Sequence, residues 1–148
     1  MLIQTLQLLF DRDLKKLKTE ISSYKNEHAI WVTEKNIANS GGNLCLHLIG
    51  NLNTYIGKEI GKTGYQRNRE LEFSLKNIPQ KELIEKTEET ILVVNNSFAM
   101  LRQEDLSNDF PVLVFDKPVS TEYLLVHLAT HLTYHLGQIN YHRRLLDN

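Results

Sequence analysis

The chain has 148 residues, 41% apolar and 24% charged, and its 17 basic and 18 acidic side chains leave a formal charge of -1. That balance supplies no global field for phosphate backbones or anionic membranes, so neither nucleic acid nor a membrane is expected as partner. The length suits one domain, 1–148, able to bury a core unaided, and the single cysteine, Cys45, excludes an intramolecular disulfide and fits a reducing compartment.

The opening MLIQTLQLLF lacks a basic leader and a small-residue cleavage site, and its apolar spacing runs on into DRDLKKLKTE. No stretch approaches the roughly 18 apolar residues that span a bilayer. A cytoplasmic protein is expected. Leu2, Leu6, Leu9, Phe10, Leu14, Leu17, Ile21 and Tyr24 recur at intervals of three and four, which predicts a first amphipathic helix with Lys15, Lys16 and Lys18 on its solvated side. From Lys25 to Ser40 the period is lost; HAIWVTEK fits a short helical turn, and Trp31 serves as an apolar plug for this connection.

A second helix follows in NLCLHLIGNLNTYIGKEIG, with Asn39 or Ser40 as N-cap and Gly61 as C-terminal stop. His47 and Asn51 lie one turn apart at the margin of its apolar stripe, while Cys45 points about 160° away from His47 and reads as a small buried hydrophobe. KTGYQRNRELEFSLKNIP is polar and reads as a long connection. Its Arg67 and Arg69 either pair with Glu70 and Glu72 or reach a pocket to hold an anionic group. Pro79 then opens a third helix carrying Leu83, Thr87, Val94 and Phe98, and PVLVFDKP is an extended segment before Ser120 caps the last helix. Four helices without a strand period predict an all-α four-helix bundle with long connections.

The last helix holds the chemistry. STEYLLVHLATHLTYHLGQINYHRRLL carries His127, His131, His135 and His142, and the last three lie on or beside the stripe of Leu124, Leu128, Leu132, Leu136 and Ile139. Histidines four residues apart sit about 6 Å apart along the axis and can reach one ion, whereas His127 and His135, about 12 Å apart, cannot easily share one. Position on the stripe favours His131 with His135, and His47 can add a third nitrogen from the second helix. Three imidazoles with an open fourth position suit a reactive zinc, nickel, iron or copper site. The same residues are also consistent with a hydrogen-bonded cluster that holds no ion, with Asn51 and Gln138 as partners. No glutamate stands between His131 and His135, which removes the metalloprotease pattern, and neither a nucleophile elbow nor a P-loop is present.

LHLIGNL around His47 and HLTYHLGQI from His131 to Ile139 resemble the DinB-like superfamily of metal-binding four-helix bundles, and RNRELEFS is similar to a segment of one uncharacterised subfamily. The resemblance spans nearly the whole chain. It implies a divalent metal, commonly zinc or nickel, held by His47, His131 and His135, and Gly137 and Gln138 match the segment that closes the family's motif. Leu136 stands where a basic residue is often found, which weakens transfer of a basic substrate contact. The resemblance further implies homodimers, and relatives that act as thiol-dependent transferases or isomerases, others being presumed hydrolases. The expected function is therefore a metal-dependent enzyme that activates water or a low-molecular-weight thiol against a small molecule. The alternative is a non-catalytic dimeric metal-binding or stress-related module. Asn51, His127, Gln138, Arg67 and Arg69 are candidates for supporting the ligands or lining a pocket.

Overall fold

A computed structural model describes all residues, 1–148, and is all-helical. Four long helices, α1 (Leu2–Ser22), α2 (Gly41–Leu52), α4 (Gln80–Phe98) and α5 (Thr121–Leu146), surround one core. α1 and α2 each pack against both α4 and α5. The expected count of four needs correction, because part of the polar connection folds into a fifth, short helix, α3 (Arg69–Ser74), lying against α2. Asn68 caps it, its Oδ1 accepting from Leu71 N–H at 3.3 Å, which satisfies one of the free donors of a helix start.

Helix formation follows the expected local chemistry. The buried face of α1 is Ile3, Leu6, Phe10, Leu14, Leu17 and Ile21. Ser40 Oγ accepts from Asn43 N–H and Ser120 Oγ from Tyr123 N–H, each at 3.1 Å, so serines cap α2 and α5. α2 is the central element: all twelve of its residues are buried and none is charged, the composition of a helix with protein on every side. It does not stop at Gly61 through a simple cap. A π-helical turn, Asn53–Lys58, prolongs it, with Asn53 Nδ2 donating to Ile49 O and Thr90 Oγ1. Glu27–Trp31 is a 3-10 turn, with the Trp31 ring packed where a side chain on Gly42 would have to go. PVLVFDKP forms no strand; one isolated bridge, Asp109 to Ser120, leads the chain into α5. No helix is long and apolar enough to cross a membrane.

His142 closes the lower end of the core. Its Nε2–H donates to Val32 O at 2.8 Å, so Nδ1 accepts from the Tyr24 hydroxyl at 2.7 Å and the ring is neutral. Gly41 leaves the space in which the Tyr24 hydroxyl sits. Burial holds the His142 pKa below the usual histidine value, against the opposing pull of the Val32 carbonyl. Below about pH 6.5 the unfolded chain takes up this proton while the folded chain resists it, so stability falls as pH falls. Melting in chelator between pH 7.5 and 5.5, values chosen to bracket the ordinary histidine pKa of about 6.5, is expected to show this decline. His142→Gln should decline less steeply, and equal slopes would remove His142 as a source.

Candidate metal centre

The antiparallel crossing of α2 and α5 brings His47, His131 and His135 together, with one ligand-type nitrogen from each lying within 4.8 Å of the others. His131 is the hub: its Nε2 lies 3.2 Å from His47 Nε2 and 3.1 Å from His135 Nε2. Hydrogen bonds on the far side of two rings fix their tautomers. Glu72 Oε1 accepts from His47 Nδ1–H at 3.0 Å, and Gln138 Oε1 accepts from His135 Nδ1–H at 2.7 Å. Both therefore turn an Nε2 lone pair toward His131.

This arrangement distinguishes an ion site from a self-contained cluster. Without an ion, His131 has one Nε2–H to share between two acceptors, and its Nδ1 lone pair is buried with no donor. With an ion, all three Nε2 lone pairs converge on it, and the carboxylate and amide behind His47 and His135 are the outer partners that ligating histidines require. The residues thus could hold a metal ion. Protonation does not compete near neutral pH at the hub: burial, then the neighbouring His135 and His47, push the His131 pKa down to about 4. Burial also lowers that of His135, against its bond to Gln138.

Glu72, on α3, is read from sequence only as a charge partner for Arg67 or Arg69, not as a residue of the site. It is 6% exposed and bound twice by Arg67, from Nε to Oε2 at 2.8 Å and from the terminal nitrogen to Oε1 at 2.9 Å. Burial would raise its pKa, but the hydrogen bonds from His47 and Arg67 outweigh that and keep it ionised. Gly50 makes the approach possible: a β-carbon there would collide with the Glu72 carboxylate. The available signal was Asn68 as a helix cap, which would have turned RELEFS from loop into a helix able to aim a side chain at α2.

The other candidates lie close by in different roles. Arg67 is committed to Glu72, and Arg69 stacks its guanidinium 5.3 Å from the Phe73 ring centre, whose ring lies 4.9 Å from that of His47. His127 is outside the three-nitrogen group and stacks on His131 at 6.3 Å, with Phe115 at 5.0 Å on its edge. Asn51 is buried and its Oδ1 has no donor. Cys45 is fully buried against Thr87, and desolvation raises its pKa to about 12, so it is no nucleophile. A cavity of about 550 Å³ adjoins the centre through His135 and Gln138; Asn36, Asn39, Tyr134 and Tyr141 help line it, and no aspartate, glutamate, lysine or arginine does.

Residues 2–148 match the family described as "Protein of unknown function (DUF1572)". No curated protein matches the chain. Among solved structures, a crystal structure of a conserved protein from Enterococcus faecalis is similar, with a TM-score of 0.76 at 15% identity, over 97% of this chain and 95% of that one. At that identity the likeness speaks for the fold alone.

Proposed function

Because the chain belongs to the DUF1572 family, whose description assigns no activity, we propose from the site that it is a metal-dependent enzyme acting on a small molecule in a DinB-like four-helix bundle. The observation that carries this reading is the convergence of three histidine lone pairs with no fourth protein ligand in the group. A divalent ion, zinc or nickel, would supply Lewis acidity at an open position and lower the pKa of a water or low-molecular-weight thiol. Glu72 and Gln138 hold the His47 and His135 rings in the ligating tautomer, and Phe73 screens the His47 side from solvent. The adjoining cavity favours a substrate without formal charge, since Arg67 is already neutralised by Glu72. The three histidines would be ligands, and Glu72 is bound by Arg67 and His47, so none of these four is free to act as a general base. The DinB-like resemblance adds a homodimer to the proposal, and the single cysteine fits a cytoplasmic location.

The test is turnover by zinc- and nickel-loaded protein of neutral ester and amide substrates, and of a model electrophile with added low-molecular-weight thiols. Metal-dependent turnover that chelator removes and His135→Ala lacks is the expected result. Stoichiometric metal that raises the melting temperature without any turnover would favour the non-catalytic module, in which the ion merely ties α2 to α5.

A further inference from the structure

Two of the three cluster histidines have a partner on the nitrogen that faces away from the centre, and the third has none. His47 has Glu72, His135 has Gln138, and His131 Nδ1 is buried without a hydrogen bond. Only two other buried side-chain polar atoms share that condition, Asn51 Oδ1 and Trp31 Nε1. Trp31 packs on Gly42, nine residues before Asn51 and thus about 13 Å along α2, too far to serve His131. Apart from His131 Nδ1 itself, Asn51 Oδ1 is the one buried side-chain acceptor left without a donor.

The helix register places the two orphans at one level. Gly41 lies against His142, and His47 against His131 and His135, so α2 rises as α5 descends. One turn beyond His47 along α2 is Asn51; one turn before His131 along α5 is His127, whose ring stacks on that of His131. Helical side chains lean toward the N-terminus of their own helix. The Asn51 amide therefore leans toward His47, and the His131 ring leans toward the level of Asn51.

Resting on the metal reading above, we propose that Asn51 is the positioning residue for His131. When His131 Nε2 ligates the ion, its proton resides on Nδ1, and Asn51 Oδ1 accepts it, directly after a turn of the amide or through one buried water. The two buried atoms that the metal-free arrangement leaves unpaired, His131 Nδ1 and Asn51 Oδ1, are then paired by metal loading, which turns the first from acceptor into donor. No bond is made or broken beyond proton relocation within the imidazole, and the ion displaces the proton held at Nε2 to Nδ1.

A structural role and this role predict opposite signs. Removing an unpaired buried acceptor in favour of a similar apolar group does not destabilise the metal-free protein and can stabilise it. Zinc affinity, measured by competition with a chromophoric chelator, should nevertheless fall about 10- to 100-fold in Asn51→Leu. Asn51→Asp keeps an acceptor and should retain most of the affinity. In zinc-loaded wild-type, nitrogen NMR should show His131 protonated at Nδ1, with that proton's resonance shifted in Asn51→Asp, an observation that stands even if Asn51→Leu does not fold. Unchanged affinity in Asn51→Leu, or a loss of affinity accompanied by a lower metal-free melting temperature, overturns the proposal while leaving the metal site standing, whereas a zinc-loaded His131 protonated at Nε2 overturns the site together with the proposal. Absence of zinc binding in wild-type overturns both.

Discussion

Replacing His131 with alanine is expected to abolish metal loading. His131 is the nitrogen to which both other histidines point, at 3.2 and 3.1 Å, and no neighbouring side chain can take its place: His127 is stacked on its ring, and Glu72 and Gln138 are engaged elsewhere. The loss of affinity should exceed the roughly 100-fold upper range for removing an outer partner, because a direct ligand is lost. Elemental analysis of purified protein checks this directly. Melting provides the independent reading: metal at about 100 times its dissociation constant stabilises wild-type by about 2.7 kcal/mol, and His131→Ala should show no difference between metal and chelator. His127→Ala should keep its full complement of metal. A full complement in His131→Ala would refute the three-histidine site.

Much of this was legible because it depends on helical periodicity. The spacing of His131 and His135, and the stripes on α1 and α5, follow from side chains one turn apart sharing a face. What escaped was set by contacts between segments distant in sequence. Arg67 and Glu72 are five residues apart, a separation with no meaning on one helix, and they meet only because Asn68 starts α3 between them. The ion pair of the connection does exist, but it is buried, with side-chain exposures of 15% and 7%, and so acts on His47 instead of solvating a loop. The completeness of the burial of α2 was hidden for a related reason. His47 and Asn51 look like a polar margin in sequence, yet α3 covers the His47 side through Glu72, and Asn43 Nδ2 donates to Glu72 O and Leu75 O at 2.9 Å. Cys45 and Trp31 read correctly as packing residues because burial follows from residue type when no partner is required to explain it.

Glu72→Ala is the second large expected effect, and it should act on both folding and metal. Removing the carboxylate leaves the Arg67 guanidinium in a largely buried site, 3.5 Å from His47 Nδ1, with its two charge-assisted bonds gone. Loss of one member of a buried pair costs about 3–5 kcal/mol when the remaining charge is trapped; Arg67 retains some exposure, so about 2–3 kcal/mol is expected in a denaturant titration with chelator present. Metal affinity should fall about 10- to 100-fold as well, because His47 loses the acceptor that fixes its Nδ1–H tautomer and tilts its Nε2 at the centre. Glu72→Gln separates the two contributions. Its amide oxygen can still accept from His47 while the charge facing Arg67 is gone, so stability should drop and affinity should recover relative to alanine. Pairing Glu72→Ala with Arg67→Met should recover much of the stability, since no unpaired charge remains, and none of the affinity. If affinity recovered together with stability, Glu72 would be a packing and charge-balancing residue, and the link from α3 through His47 to the metal would be wrong.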